Sequence, residues 1–217
     1  MLDDTSRRPW WDRQLGELRM SEPHAEQSSE LLQEHHSKRY AEQVLDFWFK
    51  ELAPAQWFRK SRKLDAEIAR RFGEVLAAAR RGELWQWRTT PRGRLAEIIV
   101  LDQFSRNIHR DTPEAFAADP QALVLAQEAV ARKDDAALAQ EERAFLYMPY
   151  MHSESLPIHD EAMRLFDQPG LENNLDFERR HRDILLQFGR YPHRNAILGR
   201  ESSEEELSFL QRPGSSF

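Results

Sequence analysis

Two stretches of the chain carry the same polar residues in the same order. Gln103-Phe104-Ser105-Arg106-Asn107-Ile108-His109-Arg110 aligns without a gap on Gln187-Phe188-Gly189-Arg190-Tyr191-Pro192-His193-Arg194, with five of eight positions identical and an offset of 84 residues. Arg106, Arg110, Arg190 and Arg194 offer planar, fork-shaped donors that suit a phosphate or a carboxylate. The plainer reading is that an arginine closing a helix bonds the last carbonyls and meets the negative end of the dipole. Asp102 and Arg106, four residues apart, also form an ordinary helix pair. The echo predicts that Arg106 and Arg190 lie close together in equivalent settings.

The second chemical stretch is Tyr147-Met148-Pro149-Tyr150-Met151-His152-Ser153-Glu154, an aromatic and Met-rich segment running into a histidine and a carboxylate. His152 and Glu154 have the side chains of an acid and base pair. His152, Glu154, His181 and His193 are of ligand type for a divalent metal, but nothing shows the H-E-x-x-H spacing that would specify one. His181 falls within an apolar stripe and reads as a core histidine, so neither metal nor cofactor is expected. Ser153, His152 and Asp160 lack the G-x-S-x-G turn of a serine hydrolase, and the scattered glycines form no phosphate loop. Phe47-Trp48-Phe49, Trp57-Phe58 and Trp85 with Trp87 could stack a base or a peptide, yet at helical spacing they read as core. Tyr191-Pro192 follows Gly189 in a tight loop and is a candidate cis bond.

Helices must position these groups. Leu64, Ile68, Phe72, Val75, Leu76 and Ala79 step by three or four, with Gly82 as the stop. Thr90-Pro91 is an N-cap with proline at the first helical position, opening Leu95, Ile98, Ile99, Leu101 and Phe104. Thr112-Pro113 and Asp119-Pro120 repeat that cap. Pro149 should kink or end its helix. Ser155 caps the next, closed by Pro169-Gly170. Asn174 caps one more, with a stripe of Phe177, His181, Ile184, Leu185 and Phe188 and Gly189 as its stop. Ser202 and Ser203 with Glu205 and Glu206 form overlapping capping boxes.

Composition agrees. The chain's 217 residues include 25 Leu and 23 Ala but only 7 Ile, 5 Val and 4 Thr, a helix-forming balance. The expected fold is all-α, about nine helices in stacked antiparallel hairpins, over residues 38–211. Residues 1–37 read as a disordered or loosely attached extension, with Met20 an alternative start, and 212–217 as a tail. With no cysteine there is no disulfide framework, thiolate metal site or cysteine nucleophile. No apolar run reaches membrane-spanning length and no secretory leader is visible, which points to a cytoplasmic protein. A net charge of −6 argues against a nucleic-acid partner, though a local basic cluster could hold one anion.

Five ordered blocks resemble the bacterial domain-of-unknown-function family 924. They are Val44-Leu45-Asp46-Phe47-Trp48-Phe49, Leu101-Asp102-Gln103-Phe104-Ser105-Arg106-Asn107, Pro149-Tyr150-Met151-His152-Ser153-Glu154, Phe188 to Asn195 with Leu198-Gly199-Arg200, and Glu204 to Leu210. The resemblance covers roughly residues 40–211 and implies an all-helical, tetratricopeptide-like fold, but no activity. The chain departs from it at Ser105, His109 and His159, which removes those two histidines from a shared site. Arg106, Asn107, His152, Glu154, Arg190, His193, Arg194 and Asn195 remain as candidate ligand-binding residues. Three functions follow from these residues: a binding module for an anionic small molecule or peptide carboxylate, a protein-interaction scaffold whose blocks only lock helices, and a hydrolase of an acidic substrate. In each, the blocks Tyr147 to Glu154 and Gly189 to Asn195 are expected to meet, with Glu154 pairing with an arginine.

Overall fold

The computed structural model describes residues 39–216, so the expectations for the N-terminal extension and for Met20 lie outside the described residues. Among the described residues there are nine helices and no strand. Helix α1 covers residues 39–46 and continues into a π turn, Phe47–Glu51; α2 is the single turn Pro54–Trp57, and α3 runs Arg62–Arg80. Helix α4, Pro91–Ile99, passes through a second π turn, Val100–Phe104, into Ser105–Ile108. Then come α5, Asp119–Ala131; α6, Gln140–Met151; α7, Leu156–Phe166; α8, Glu172–Phe188; and α9, Glu204–Leu210. No helix among the described residues is long and apolar enough to cross a membrane.

Helix α4 is the hub: it packs against α3, α5 and α6 and is buried without interruption from Gly93 to Ser105. Thr90 caps it by accepting from the Gly93 amide, with Pro91 at its first position. Gly93 allows the helix to start against the preceding 3-10 turn, because a β-carbon there would lie 2.1 Å from the Trp87 carbonyl oxygen. The core around α4 is aromatic. Phe104 meets Phe72 at 4.9 Å, Trp48 at 5.7 Å and Phe47 at 6.0 Å between ring centroids. Trp87 is buried too, but Phe58 and Trp85 are 68% and 60% exposed, so the core reading fails for those two rings.

The remaining helices pack in sequence, α6 on α7 and α7 on α8, and α8 closes on a smaller cluster of Ile184, Leu185 and Tyr191. Several predicted ends shift. Pro149 lies inside α6, which runs two residues past it to end at Met151, where the lost amide bond costs least. Helix α8 begins at Glu172 after Leu171, leaving Asn174 inside the helix, and Phe177 is exposed. Thr112-Pro113 opens only a 3-10 turn, Pro113–Ala115. Gly189 closes α8 with φ +70°, and Ser203 with Glu206 forms the capping box of α9, both as expected.

Candidate functional site

The conserved-looking polar residues of the hub helix end and of the α6 and α8 ends converge on two aspartates. Asp102, in the π turn of α4, accepts from Arg106 at 2.9 Å, from Gln103 at 2.6 Å and faces His152 Nδ1 at 2.7 Å. Asp119, in the first turn of α5, takes Arg106 in a two-pronged bond at 2.9 and 3.0 Å and Arg194 Nη1 at 3.3 Å. Arg194 also donates to the His152 carbonyl at 3.0 Å, which closes the circuit between α4, α5, α6 and the loop after α8. Both guanidinium groups lie over the Phe116 ring, at 5.6 and 4.6 Å.

Electrostatics follow from that enclosure. Burial alone would raise the Asp102 carboxyl, but Arg106 and His152 outweigh it and hold it below the ordinary carboxylate value. Burial, reinforced by Arg106, lowers His152, so its imidazole is neutral with the Nδ1 proton directed at Asp102. The circuit is then charge-neutral: two carboxylates against two guanidinium groups. Its donors face the chain's own acceptors.

Around it the other candidates form separate pairs. Glu154 binds Arg200 at 2.7 and 2.9 Å and accepts from the Tyr191 amide at 2.7 Å, so the expected arginine partner is neither Arg190 nor Arg194. Asn195 accepts from Arg200 Nε at 2.9 Å and donates to Ser202. Arg190 is held by Glu206 at 2.7 and 2.8 Å, and Arg110 by Asp65 at 2.7 Å, with Asn107 donating to the same aspartate. Arg106 and Arg190 therefore share no acceptor. Tyr191-Pro192 is trans, as are all the described peptide bonds. His193 stacks near Tyr191 at 5.6 Å, and burial pushes its imidazole down to about 3.

The two blocks do meet, through Glu154 with Tyr191 and Arg194 with His152. Arg106, His152 and Arg194 are brought into one network; Glu154 and Asn195 share Arg200; Asn107 and Arg190 stand apart. Asp160, the acid of the serine-hydrolase alternative, pairs with Arg182 on the surface, far from the role of orienting His152. Among the described residues no group of three or more His, Asp or Glu side chains could hold a metal ion.

Sequence reasoning missed Asp119, assigned to a cap although the cap position is Ala118, and the buried pair of His159 and Glu178. His159 Nδ1 lies 2.6 Å from Glu178, while Nε2 reaches the Ser153 carbonyl at 2.8 Å and the Tyr191 hydroxyl at 3.1 Å. That hydroxyl donates to the Met151 carbonyl, so Nε2 carries a proton, and Nδ1 and Glu178 share another. Burial raises the Glu178 carboxyl, consistent with a shared proton. His181, bonded to the Phe177 carbonyl at 2.8 Å, is the core histidine that the apolar stripe implied.

This geometry is set in a known sequence pattern. The profile of a family described as bacterial protein of unknown function, DUF924, matches residues 44–214. The chain belongs to DUF924. A solved structure described as a protein of unknown function, ATU0120, from Agrobacterium tumefaciens is 38% identical, with a TM-score of 0.77 over 81% of this chain and 98% of that one. No curated protein matches. The DUF924 blocks thus coincide with the ion-paired ends of α4, α6 and α8, on an all-helical fold shared with that neighbour.

Proposed function

We propose that this DUF924 chain is a cytoplasmic helical scaffold for protein partners, built of tetratricopeptide-like stacked hairpins, whose motif residues lock helix ends together. The observation that carries this reading is charge neutrality: Arg106, Arg110, Arg190, Arg194 and Arg200 are matched by Asp102, Asp65, Glu206, Asp119 and Glu154. An anion entering this cluster would have to displace a carboxylate already in place, at the cost of leaving that group buried without a partner. The anionic-ligand reading through Arg106, Asn107, His152, Glu154, Arg190, His193, Arg194 and Asn195 and the hydrolase reading through His152 and Glu154 both require free donors there. The cysteine-free composition suits a reducing cytoplasm.

The test is thermal melting and calorimetry of the full chain with inorganic phosphate and with succinate as probes. The lock reading expects Asp119→Asn and Arg194→Ala to melt well below the parent and no saturable heat from either probe. Saturable binding that Arg194→Ala removes without changing the melting temperature would overturn it in favour of the ligand reading.

A further inference from the structure

The neutral motif cluster leaves the chain's uncompensated cations elsewhere. Arg59, Lys60, Arg62 and Lys63 stand within five residues, all exposed, and among the described residues none has an ion pair or hydrogen bond. The acid next to them in sequence, Asp65, is taken by Arg110 and Asn107. Gln56, Arg59, Lys60, Ser61 and Leu64 line a depression of about 220 Å³. Phe58 borders this stretch, stacked on Phe145 at 6.2 Å with its other face in solvent. Helix stability does not account for the cations, since positive charge in a first helical turn opposes the dipole.

The chain itself carries the complement. Residues 20–37 contain Glu22, Glu26, Glu30 and Glu34, each four positions from the next, with Leu31 and Leu32 between them and no lysine or arginine. A four-residue spacing of like charges is repulsive on its own helical face and calls for opposite charges beside it. Reach is sufficient: the five residues from Glu34 to Arg39 span at most about 17 Å, the seventeen from Glu22 about 57 Å, and α1 with its π turn is about 20 Å long. A long polyanion fits less well, because it would overrun four cations and meet a chain of net charge −6.

We propose that the acidic stretch Glu22 to Glu34 docks in cis on the basic surface formed by Arg59, Lys60, Arg62 and Lys63, with Leu31 and Leu32 toward Phe58. This surface is distinct from the motif lock and does not depend on the scaffold reading.

Carbodiimide cross-linking of the full chain with peptide mass spectrometry tests it, because the reagent joins only carboxylates and amines already in contact. The chain has five lysines, Lys38, Lys50, Lys60, Lys63 and Lys133, so Lys50 and Lys133 serve as internal controls. The expected result is links from the four glutamates to Lys60 or Lys63 and none to Lys50 or Lys133. They should vanish at high salt and in Lys60→Glu/Lys63→Glu, and return when Glu26→Lys/Glu30→Lys is added. Links spread evenly over all lysines, links that persist at high salt, or links found only between copies in a mixed isotope-labelled sample would each overturn it. The salt comparison needs no variant and stands even if one misfolds.

Discussion

The segments 103–110 and 187–194 share five residues and put them to opposite uses. In the first, Arg106 goes inward to Asp102 and Asp119 while Arg110 stays near the surface on Asp65. In the second, Arg190 stays out on Glu206 and it is Arg194 that goes inward to Asp119. The deep arginine is therefore the first of its pair in one segment and the second in the other. Backbone explains the exchange. Residues 103–108 remain helical through the π turn, whereas Gly189 at φ +70° ends α8 and Pro192 starts a 3-10 turn. Identical residues read through different backbone become neighbours by convergence on one aspartate, rather than equivalents by repetition. The phenylalanines diverge as well: Phe104 is fully buried among Phe47, Trp48 and Phe72, while Phe188 only flanks the smaller cluster with Phe209.

The sharpest break of this comparison is at the deep arginines. Arg106→Ala or Arg194→Ala strands buried Asp119 and should cost about 3–5 kcal/mol, read from chemical denaturation, and Arg106→Ala strands Asp102 as well. Phe104→Ala should cost a similar amount, about 3–5 kcal/mol, with Phe188→Ala clearly below it. Equal losses at Phe104 and Phe188 would mean that the second segment is packed as tightly as the first.

Acid gives the next contrast. Burial holds His193 and His181 down to about 3 in the fold, against an ordinary value of 6.5. Above pH 6.5 neither the folded nor the unfolded chain binds these protons, so stability does not depend on them. Below it the unfolded chain takes up protons that the fold excludes, and each ring removes up to about 1.4 kcal/mol per pH unit until its folded value is reached. His193→Gln should therefore flatten the loss of stability between neutral and acid pH. His109→Gln, at the matching position of the first segment, should flatten it much less, because that ring is lowered by burial and Arg80 but lies mostly in solvent. Urea melts across the pH range check both.

The smallest effect is expected at the outer arginines. Arg190→Ala should lower the melting temperature less than Arg194→Ala, since Glu206 keeps its Ser203 capping bond when the guanidinium is gone. A larger loss at Arg190 would reverse the assignment of inner and outer.

Much of the fold was legible because caps and periodicity are local. Thr90-Pro91, Gly189 and Ser203 with Glu206 lie where their types demand, and the stripe from Leu64 to Ala79 is buried as spaced. The candidate residues were legible only as a set. Their pairing is long-range: Arg194 meets Asp119 across 75 positions, and Asp119 looked like a cap because Asp before Pro has a ready local use. His159 and Glu178 gave no signal at all, since a buried proton-sharing pair has the same letters as a surface one. Phe58 and Trp85 misled because aromatic spacing records a helical face without saying whether anything covers it.

The π turn Val100–Phe104 carries a consequence for how related chains can differ. A π turn holds one residue more than the α turn in its place, and here the extra residue sits between the apolar stripe of α4 and Arg106. Deleting any one residue there would restore α winding and swing everything after it by about 100°, carrying Arg106 away from Asp119. Point changes in this segment can be absorbed one side chain at a time, but a change of length cannot. Descent should therefore have kept the stretch from Ile99 to Arg106 free of insertions and gaps, even where its letters drift.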